Sequence, residues 1–254
     1  MGELVHYESN EGIARLTLDS PHNRNALSSA LQHELNAHLH EALNDDAVRV
    51  IVLTGAGPVF CSGADLKEQR EGSSTAGPEV MIDTLTSIWH SPKPVVGRIN
   101  GPARAGGLGL VGACDIVVAP RSASFGFAEV RIGVLPAVIA VTCLPRMSSR
   151  GALEVFLTGE NFTAERAVEL GLINRAVDDD ELDAEVERYT AMLGRGGPEA
   201  LAGVKPMIRQ IEQLPMDEAF QQMLKLSLER FRSDEAREGM TAFGEKRDPQ
   251  WVVS

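Results

Sequence analysis

The order of apolar patterns along the chain limits the fold classes it can adopt. Strand-like and helix-like segments alternate up to residue 177, and from Asp178 onward only helical patterns follow. Alternation of this kind is typical of an α/β core, and a run of helices after it indicates an appended helical layer. At 254 residues the chain is long enough for one large domain with a full core. We therefore predict an α/β fold with a helical tail.

Local signals place several of these elements. Apolar and polar residues alternate on both sides of Asn10-Glu11-Gly12, which predicts a β-hairpin. Ser28 is expected to cap a helix of about sixteen residues. Residues 48–55 predict a buried strand, and residues 106–113 predict a short helix. The polar segment 70–78, which is rich in small residues, is interpreted as mobile.

The stretch NGPARAGGLGLVGACDIVVA, residues 100–119, carries five glycines between two apolar runs. Glycine in a helix costs about 1 kcal/mol relative to alanine, so these positions need a reason. Phosphate binding is unsupported, because no G-x-x-x-x-G-K-[ST] motif occurs. The dinucleotide pattern fits Gly107, Gly109 and Gly112 by letter, but it stands mid-chain, outside a first βαβ unit. Two reasons remain: backbone N–H groups directed at a ligand oxygen, or close packing of a helix.

Charge and composition exclude several classes of function. The net charge of −12 argues against broad binding to nucleic acid or to anionic membranes. No apolar run approaches the length of a membrane span, and the start MGELVHYESNEG lacks the features of a signal peptide. Six scattered histidines form no metal-binding motif. We therefore expect a cytoplasmic protein without a metal site, in which three separated cysteines are buried apolar residues: Cys61, Cys114 and Cys143.

Ordered motifs over nearly the whole chain resemble the crotonase superfamily, the enoyl-CoA hydratase/isomerase family. They are NRNALS (23–28), VRVIVLTG and FCSGADLKE (within 48–68), PKPVVGRINGPARAGGLGLVGACDIVVA (92–119), ASFGFAEVRIGVLPA (123–137) and LTGENFTAERAVELGLINRAV (157–177). The resemblance implies a crotonase-like spiral of ββα units over residues 1–195. It also implies a C-terminal helical region over residues 196–254 that forms a homotrimer or a dimer of trimers. The implied substrate is an acyl-CoA thioester, so coenzyme A is part of the substrate and no separate cofactor is expected.

The resemblance gives the glycine-rich stretch a catalytic role. By position, the backbone N–H groups of Ala64 and Gly106 polarise the thioester carbonyl and stabilise an enolate oxyanion. Two preorganised donors in a dry site contribute about 3–4 kcal/mol each. A helix that begins near Gly106 and Gly107 adds the positive end of its dipole. Close packing alone stays the alternative reason for these glycines.

The resemblance implies two catalytic glutamates in a typical hydratase of the family, and this chain has a glutamate at only one of the two positions. Gly109 stands at one of the two positions, where it is expected to leave a void that admits bulk or water. Glu129 stands at the other and is the expected acid and base. Four apolar neighbours are expected to raise the pKa of Glu129 toward a usable value: Phe125, Phe127, Val130 and Ile132.

One carboxylate can serve either of two reactions. It can add water to a 2-enoyl thioester if the water that it holds supplies both hydroxyl and proton, or it can shift a double bond. The stretches NRNALS, GGLGL and EVRIGVLPAVIA resemble a bacterial branch of 3-methylglutaconyl-CoA hydratases, which makes a hydratase the first interpretation. The alternatives are an isomerase, another crotonase reaction, and a thioester-binding member that has lost its activity.

The resemblance also implies contacts with the substrate. The implied binding residues are Arg24, Ala26, Leu27, Ala64, Asp65, Leu66, Lys67, Gly106, Gly107 and Gly109. Asp65 is interpreted first as a helix cap, and Asp115 as structural. The candidate partners of the phosphates are Arg24, Lys67 and Lys93, and the candidate partners of a substrate carboxylate are Arg104 and Arg131.

Binding of RNA, reputed for one relative in the family, would need a basic helix face. The first long helix, SSALQHELNAHLHEALNDD, contains no Lys or Arg. We therefore expect neither nucleic acid nor membrane as a partner.

Overall fold

The strands form two sheets. The computed structural model describes residues 2–72 and 78–252, so part of the segment predicted to be mobile, residues 73–77, lies outside the described residues. The strands are β1 Val5–Asn10, β2 Ile13–Leu18, β3 Val50–Gly55, β4 Val95–Arg98, β5 Ala103–Arg104, β6 Ile116–Pro120, β7 Ser124–Gly126, β8 Phe162–Thr163 and β9 Arg175–Val177. A six-stranded sheet has the order β1-β2-β3-β4-β6-β9, and all its pairs are parallel except β1 with β2. A smaller sheet has the order β5-β7-β8.

The helices follow the predicted order, with only helices after β9. They are α1 Ser29–Asn44, α2 Leu66–Glu71, α3 Pro78–His90, α4 Gly106–Ala113, α5 Ala137–Cys143, α6 Ser149–Thr158, α7 Ala164–Glu169, α8 Leu182–Gly194, α9 Pro198–Glu212, α10 Met216–Phe231 and α11 Asp234–Glu245. The predicted α/β core with a helical tail is confirmed. Helix α6 was not predicted, although Gly159, which has a φ of 62° and ends this helix, is a recognisable stop signal.

Two local predictions are confirmed in detail. Strands β1 and β2 form an antiparallel hairpin, and both turn residues have a positive φ, 49° at Glu11 and 76° at Gly12. Such turns match the twist of the flanking strands. The Ser28 hydroxyl accepts a hydrogen bond from the Leu31 N–H at 3.3 Å and so caps α1.

The large sheet separates two apolar layers. Successive residues of a strand point to opposite faces, and β3 shows this alternation. Ile51 and Leu53 belong to the main core, which also holds the buried side chains of α1 and α4. Val50 and Val52 belong to a smaller cluster, which α8 covers with side chains that include Leu182. The main core therefore lies on the side of the sheet where the glycine-rich helix α4 is packed.

Helix α9 contacts α3 at Trp89. The guanidinium carbons of Arg146 and Arg209 each lie 4.4 Å from the centroid of the Trp89 ring. Helices α9 to α11 nevertheless expose many apolar side chains: Val204, Ile208, Ile211, Met216, Phe220, Leu224, Leu228, Phe231, Met240 and Phe243. An exposed apolar surface of this extent marks a contact with another molecule.

Three further observations concern the described residues as a set. Cys61, Cys114 and Cys143 are all buried and free, as predicted. Within residues 2–72 and 78–252, no three His, Cys, Asp or Glu side chains are grouped so that they could hold a metal ion. No helix in these ranges combines the length and the apolarity needed to cross a membrane.

Candidate active site

Two loops position the backbone of Ala64. The Leu27 N–H donates to the Gly63 carbonyl at 2.8 Å, and Leu27 and Ala64 form a parallel β-bridge. Asn25, with a φ of 56°, is buried and donates from its side chain to the carbonyls of Ala56 and Val59. Asparagine adopts this left-handed conformation more readily than most residues. The two substrate loops, residues 24–27 and 64–67, which carry implied binding residues, are therefore fastened to each other. Ala26 and Leu27 of the first loop are buried.

Asp65 caps the short helix α2, as its first interpretation stated. One carboxylate oxygen accepts the N–H groups of Lys67 at 3.0 Å and of Glu68 at 3.3 Å. The other accepts the side-chain amide of Asn23 at 3.1 Å. Partial burial opposes ionisation, but these hydrogen bonds outweigh it and lower the pKa of Asp65. The structure thus brings Asp65 near the site as a structural residue.

The second predicted donor, Gly106, begins helix α4 and lies beside Ala64. A Cβ built on Gly106 would lie 3.9 Å from the Ala64 nitrogen and 2.8 Å from Leu27 Cδ1, so a side chain there would have to displace the end of Leu27. The residue before it, Ala105, has a φ of 45° and a ψ of −119°, a conformation that few non-glycine residues adopt. Among the described residues, neither the Ala64 N–H nor the Gly106 N–H donates to an acceptor.

The structure corrects the expectation that Gly109 leaves a void. A Cβ built on Gly109 would lie 2.7 Å from Ile139 Cγ2, 3.1 Å from Ile139 Cβ and 3.2 Å from Met81 Cε. Ile139 is only 5% exposed. The space at Gly109 is therefore filled by side chains from α5 and α3. Gly107 is packed as closely, since its Cβ would lie 2.8 Å from Cys61 Cβ.

Glu129 lies in a short 3-10 helix, Ala128–Ile132, after β7. Its Oε2 atom is buried and has no hydrogen-bond partner in the part of the chain that the structure describes. Burial raises the pKa of Glu129, in the direction that was predicted, and a hydrogen bond from its own backbone opposes the shift. Of the expected apolar neighbours, Phe125 and Phe127 are fully buried, whereas Ile132 is 61% exposed.

The carboxyl group of Glu129 lies close to helix α5. Burial raises the pKa of the Cys143 thiol to about 12, and the charge of Glu129 adds a smaller contribution in the same direction. Cys143 follows Ile139 by one helical turn, and the two residues contact α4 at Gly112 and Gly109. Glu129 and the filled position at Gly109 therefore belong to one region of the structure.

An apolar cavity of about 480 Å³ lies between α3 and α5. Its lining includes Ile82 and Val138, which directly follow and precede the two side chains packed on Gly109. On α3 the lining continues to Trp89, seven residues further on, which corresponds to about 10 Å along a helix. The cavity therefore extends from the region of Met81 and Ile139 toward the far end of α3.

The candidate cations have different surroundings. Arg24 and Lys67 are exposed at the edge of the substrate loops. Lys93, in contrast, donates from Nζ to the carbonyls of Ala42 at 2.8 Å and Asp45 at 2.6 Å, at the end of α1. Lys93 is thus a helix-capping residue, and the structure does not support it as a phosphate partner.

The two candidate partners of a substrate carboxylate bind groups of the protein. Arg104 donates from Nη1 to the Ser124 carbonyl at 2.6 Å and from Nη2 to the Ser124 hydroxyl at 2.8 Å. Burial lowers the pKa of Arg104. Arg131 pairs with Glu160 at the surface. Either guanidinium would have to leave these partners to bind a substrate.

Comparisons with known proteins identify the family of the chain. The chain matches the enoyl-CoA hydratase/isomerase family over residues 8–253. A Rhodobacter capsulatus protein named "Probable enoyl-CoA hydratase" is 38% identical over 252 residues, covering 98% of this chain and 97% of the relative. Carnitinyl-CoA dehydratase of Escherichia coli K12 is 34% identical, covering 99% of both chains.

Solved structures give the same result for the fold. An enoyl-CoA hydratase from Shewanella pealeana superposes with a TM-score of 0.92 at 28% identity, covering 98% of this chain and 96% of that chain. An enoyl-CoA hydratase from Mycobacterium avium shares 45% identity and superposes with a TM-score of 0.74, covering 99% of this chain and 100% of that chain. On its sequence and its fold, the chain belongs to the enoyl-CoA hydratase/isomerase family, the crotonase superfamily.

Proposed function

We propose that the protein adds water to a 2-enoyl-CoA thioester through an enolate, with Glu129 as the acid and base. The observation that carries this proposal is the pairing of two free backbone donors, Ala64 N–H and Gly106 N–H, with one buried and unpartnered carboxyl oxygen of Glu129. Preorganised donors of this kind stabilise charge that develops on a carbonyl oxygen. Relatives named hydratase and dehydratase support the same reaction, since dehydration is hydration in reverse.

The chemistry follows from one carboxyl group. The thioester carbonyl accepts hydrogen bonds from Ala64 and Gly106, and this draws electrons away from C3. Water bonds to C3 through its oxygen while the carboxylate of Glu129 takes one of the water's protons. The enolate oxygen is held by the two N–H groups. Glu129 then returns that proton to C2, so the elements of one water molecule are added in all.

The surroundings suggest how the remainder of the substrate binds. The apolar cavity between α3 and α5 suits an uncharged acyl chain, because most of its lining is apolar, with Thr86, His90 and Thr142 as its polar residues. Arg24 and Lys67, both exposed beside the substrate loops, suit the phosphates of coenzyme A. The exposed apolar faces of α9 to α11 suit assembly into a homotrimer or a dimer of trimers.

A second candidate reaction is migration of a double bond from C3 to C2. The apolar filling at Gly109 favours it, because an isomerase needs only one base and no bound water. In that reaction Glu129 removes a proton from C2 of a 3-enoyl thioester and returns it to C4.

Ultraviolet absorbance of the conjugated enoyl thioester distinguishes the two reactions. We expect the signal to fall with crotonyl-CoA, and this fall to be abolished by Glu129→Gln and unchanged by Glu160→Gln, which alters an exposed carboxylate. A rise with a 3-enoyl-CoA, and no fall with 2-enoyl substrates, would instead establish the isomerase. If Glu129→Gln kept full activity in both assays, the proposed role of Glu129 would be wrong.

A further inference from the structure

Helix α5 lies unusually close to the glycine face of α4. A Cβ built on Gly112 would lie 2.9 Å from both the Thr142 carbonyl oxygen and the Cys143 sulfur, and a Cβ on Gly109 would lie 2.7 Å from Ile139 Cγ2. These separations are shorter than carbon contacts in well-packed interiors. The two helices can therefore approach this closely only while positions 109 and 112 have no side chain.

Hydrogen bonds hold α5 at this separation. The Thr142 hydroxyl donates to the Gly109 carbonyl at 3.0 Å, and the Cys143 thiol donates to the Leu108 carbonyl at 3.2 Å. Both bonds are buried, so they add to the packing that holds the two helices together. The Thr142 hydroxyl also lies 3.2 Å from the Ile139 carbonyl of its own helix. Ile139, one turn before Cys143, is thus held against Gly109 by hydrogen bonds between the two helices.

The side chains nearest to Gly106 and Gly109 are Leu27, Met81 and Ile139, and all three are apolar. Ile139 fills the space into which a side chain at position 109 would project. We propose that Ile139 is a positioning residue that excludes a second ionisable group and makes this a one-acid site. The inference deepens and rests on the proposed function, in which Glu129 moves protons in both directions.

The filled space has a chemical consequence. With two carboxyl groups, one could activate water while the other delivered a proton to C2. Because Ile139 excludes a second acid, the proton that Glu129 takes from water is the same proton that it gives to C2. The carboxylate of Glu129 is regenerated at the end. The rate should then follow one ionisation, that of Glu129, across the acidic pH range.

The test restores the missing acid with and without Ile139. Gly109→Glu alone should lower the melting temperature and abolish turnover, because the new side chain meets Ile139. Gly109→Glu combined with Ile139→Ala should recover the fold. Its turnover of crotonyl-CoA should be at least about tenfold higher than that of Gly109→Glu alone. Its kcat/KM profile should show a second ionisation in addition to that of the wild-type protein. A Gly109→Glu variant as stable and active as wild type, or a double variant with the wild-type pH profile, would overturn the proposal.

A double-mutant cycle, measured by melting temperature, tests this inference independently of the proposed function. Gly109→Ala should lower the melting temperature by several degrees in the wild-type background and by much less in Ile139→Ala. Gly112→Ala, which meets Thr142 and Cys143 instead, should be equally harmful in both backgrounds. If no enoyl thioester is turned over but this pattern holds, the proposed function fails and the exclusion by Ile139 stands. If Gly109→Ala is tolerated by the wild-type protein, the exclusion itself is wrong.

Discussion

Lys205 Nζ lies 2.6 Å from Asp115 Oδ2, and this ion pair joins α9 to the sheet at the start of β6. Both side chains are largely buried, at 13% and 18% exposure. Asp115 also accepts the Val95 N–H at 2.8 Å, which confirms its predicted structural role. Burial lowers the pKa of Lys205, and the charge of Asp115 opposes that shift. The pair therefore couples the C-terminal helices to the part of the fold that carries the site.

Lys205→Met should destabilise the protein by about 2–3 kcal/mol, somewhat less than the loss of one partner from a fully buried pair. The reason is that Asp115 would keep a charge without its cation. Urea unfolding of Lys205→Met, Asp115→Asn and the double variant measures this, and the double variant should lose less than the sum of the two. Arg237→Met breaks an exposed pair with Asp234 and should cost below about 0.5 kcal/mol. Equal losses at Lys205 and Arg237 would contradict the expectation.

Ala105→Gly should stabilise the protein by about 1 kcal/mol, because it relieves a conformation that costs about 1–3 kcal/mol. This relief outweighs the loss of about 0.4–1 kcal/mol that comes from the greater backbone freedom of glycine in the unfolded chain. It should also lower kcat, because Ala105 directs the N–H of Gly106. Melting temperature and kcat measured together test this trade-off. Lys246→Gly, at an exposed residue in the left-handed region with a φ of 56°, should relieve a smaller strain without changing kcat. A stabilised Ala105→Gly enzyme with unchanged kcat would show that the strained conformation of Ala105 is not needed for catalysis.

Glu129→Gln should raise the melting temperature at about pH 7, and the gain should vanish below about pH 4.5, the ordinary pKa of the side chain. The sign follows from the raised pKa of Glu129. Above that pKa the folded protein holds a partly buried charge that the unfolded chain exposes to water, whereas at low pH the group is neutral in both states. Thermal melts across this range check the prediction. A gain that is independent of pH would show that burial of charge is not its cause.

Thr86→Trp should discriminate against long acyl chains, because Thr86 is an exposed residue of α3 that lines the apolar cavity. The larger ring reduces the space for a chain that extends beyond the reacting carbons, while crotonyl-CoA does not reach it. KM values for a series of 2-enoyl chain lengths provide the measurement. Thr86→Ala serves as the matched control that leaves the cavity open. Similar effects of Thr86→Trp on short and long substrates would place the acyl chain elsewhere.

Phe220→Glu combined with Leu224→Glu should shift the protein from an oligomer to a monomer in sedimentation. The two side chains are 70% and 62% exposed in the single chain, one turn apart on α10, so an interface there would have to bury both charges. Glu218→Gln on the same helix should leave the oligomer intact. A wild-type protein that sediments as a monomer would remove the basis of this prediction.

The parts of the fold that sequence predicts well depend on neighbouring residues. The hydroxyl of Ser28 reaches the N–H of Leu31, three residues away, so its capping role is visible in the local pattern. The glycine-rich helix was predicted with its observed bounds, 106–113, because the apolar runs on each side limit it. Helix α6 was missed, although its ends at Ser148 and Gly159 carry ordinary signals.

The features that sequence could not predict are contacts between distant residues. The side chain that fills the space at Gly109 comes from thirty positions further along the chain, through the close packing of α5 on α4. The glycine at position 109, where the family usually has a glutamate, does not indicate which side chain fills the space. Lys93 binds carbonyls of α1 at Ala42 and Asp45, about fifty positions earlier. Such contacts depend on the tertiary arrangement of helices, which periodicity does not specify.

The indole of Trp89, which the guanidinium groups of Arg146 and Arg209 both contact, can report on this region through its fluorescence. The chain has only one other tryptophan, Trp251, whose ring N–H donates to the Arg195 carbonyl near the C-terminal end. With Trp251 replaced by phenylalanine, the remaining fluorescence would follow the joint between α9 and the core. Separation of α9 would remove one cation from the ring and expose it to water. Detachment of the C-terminal helices could then be timed independently of the unfolding of the sheet.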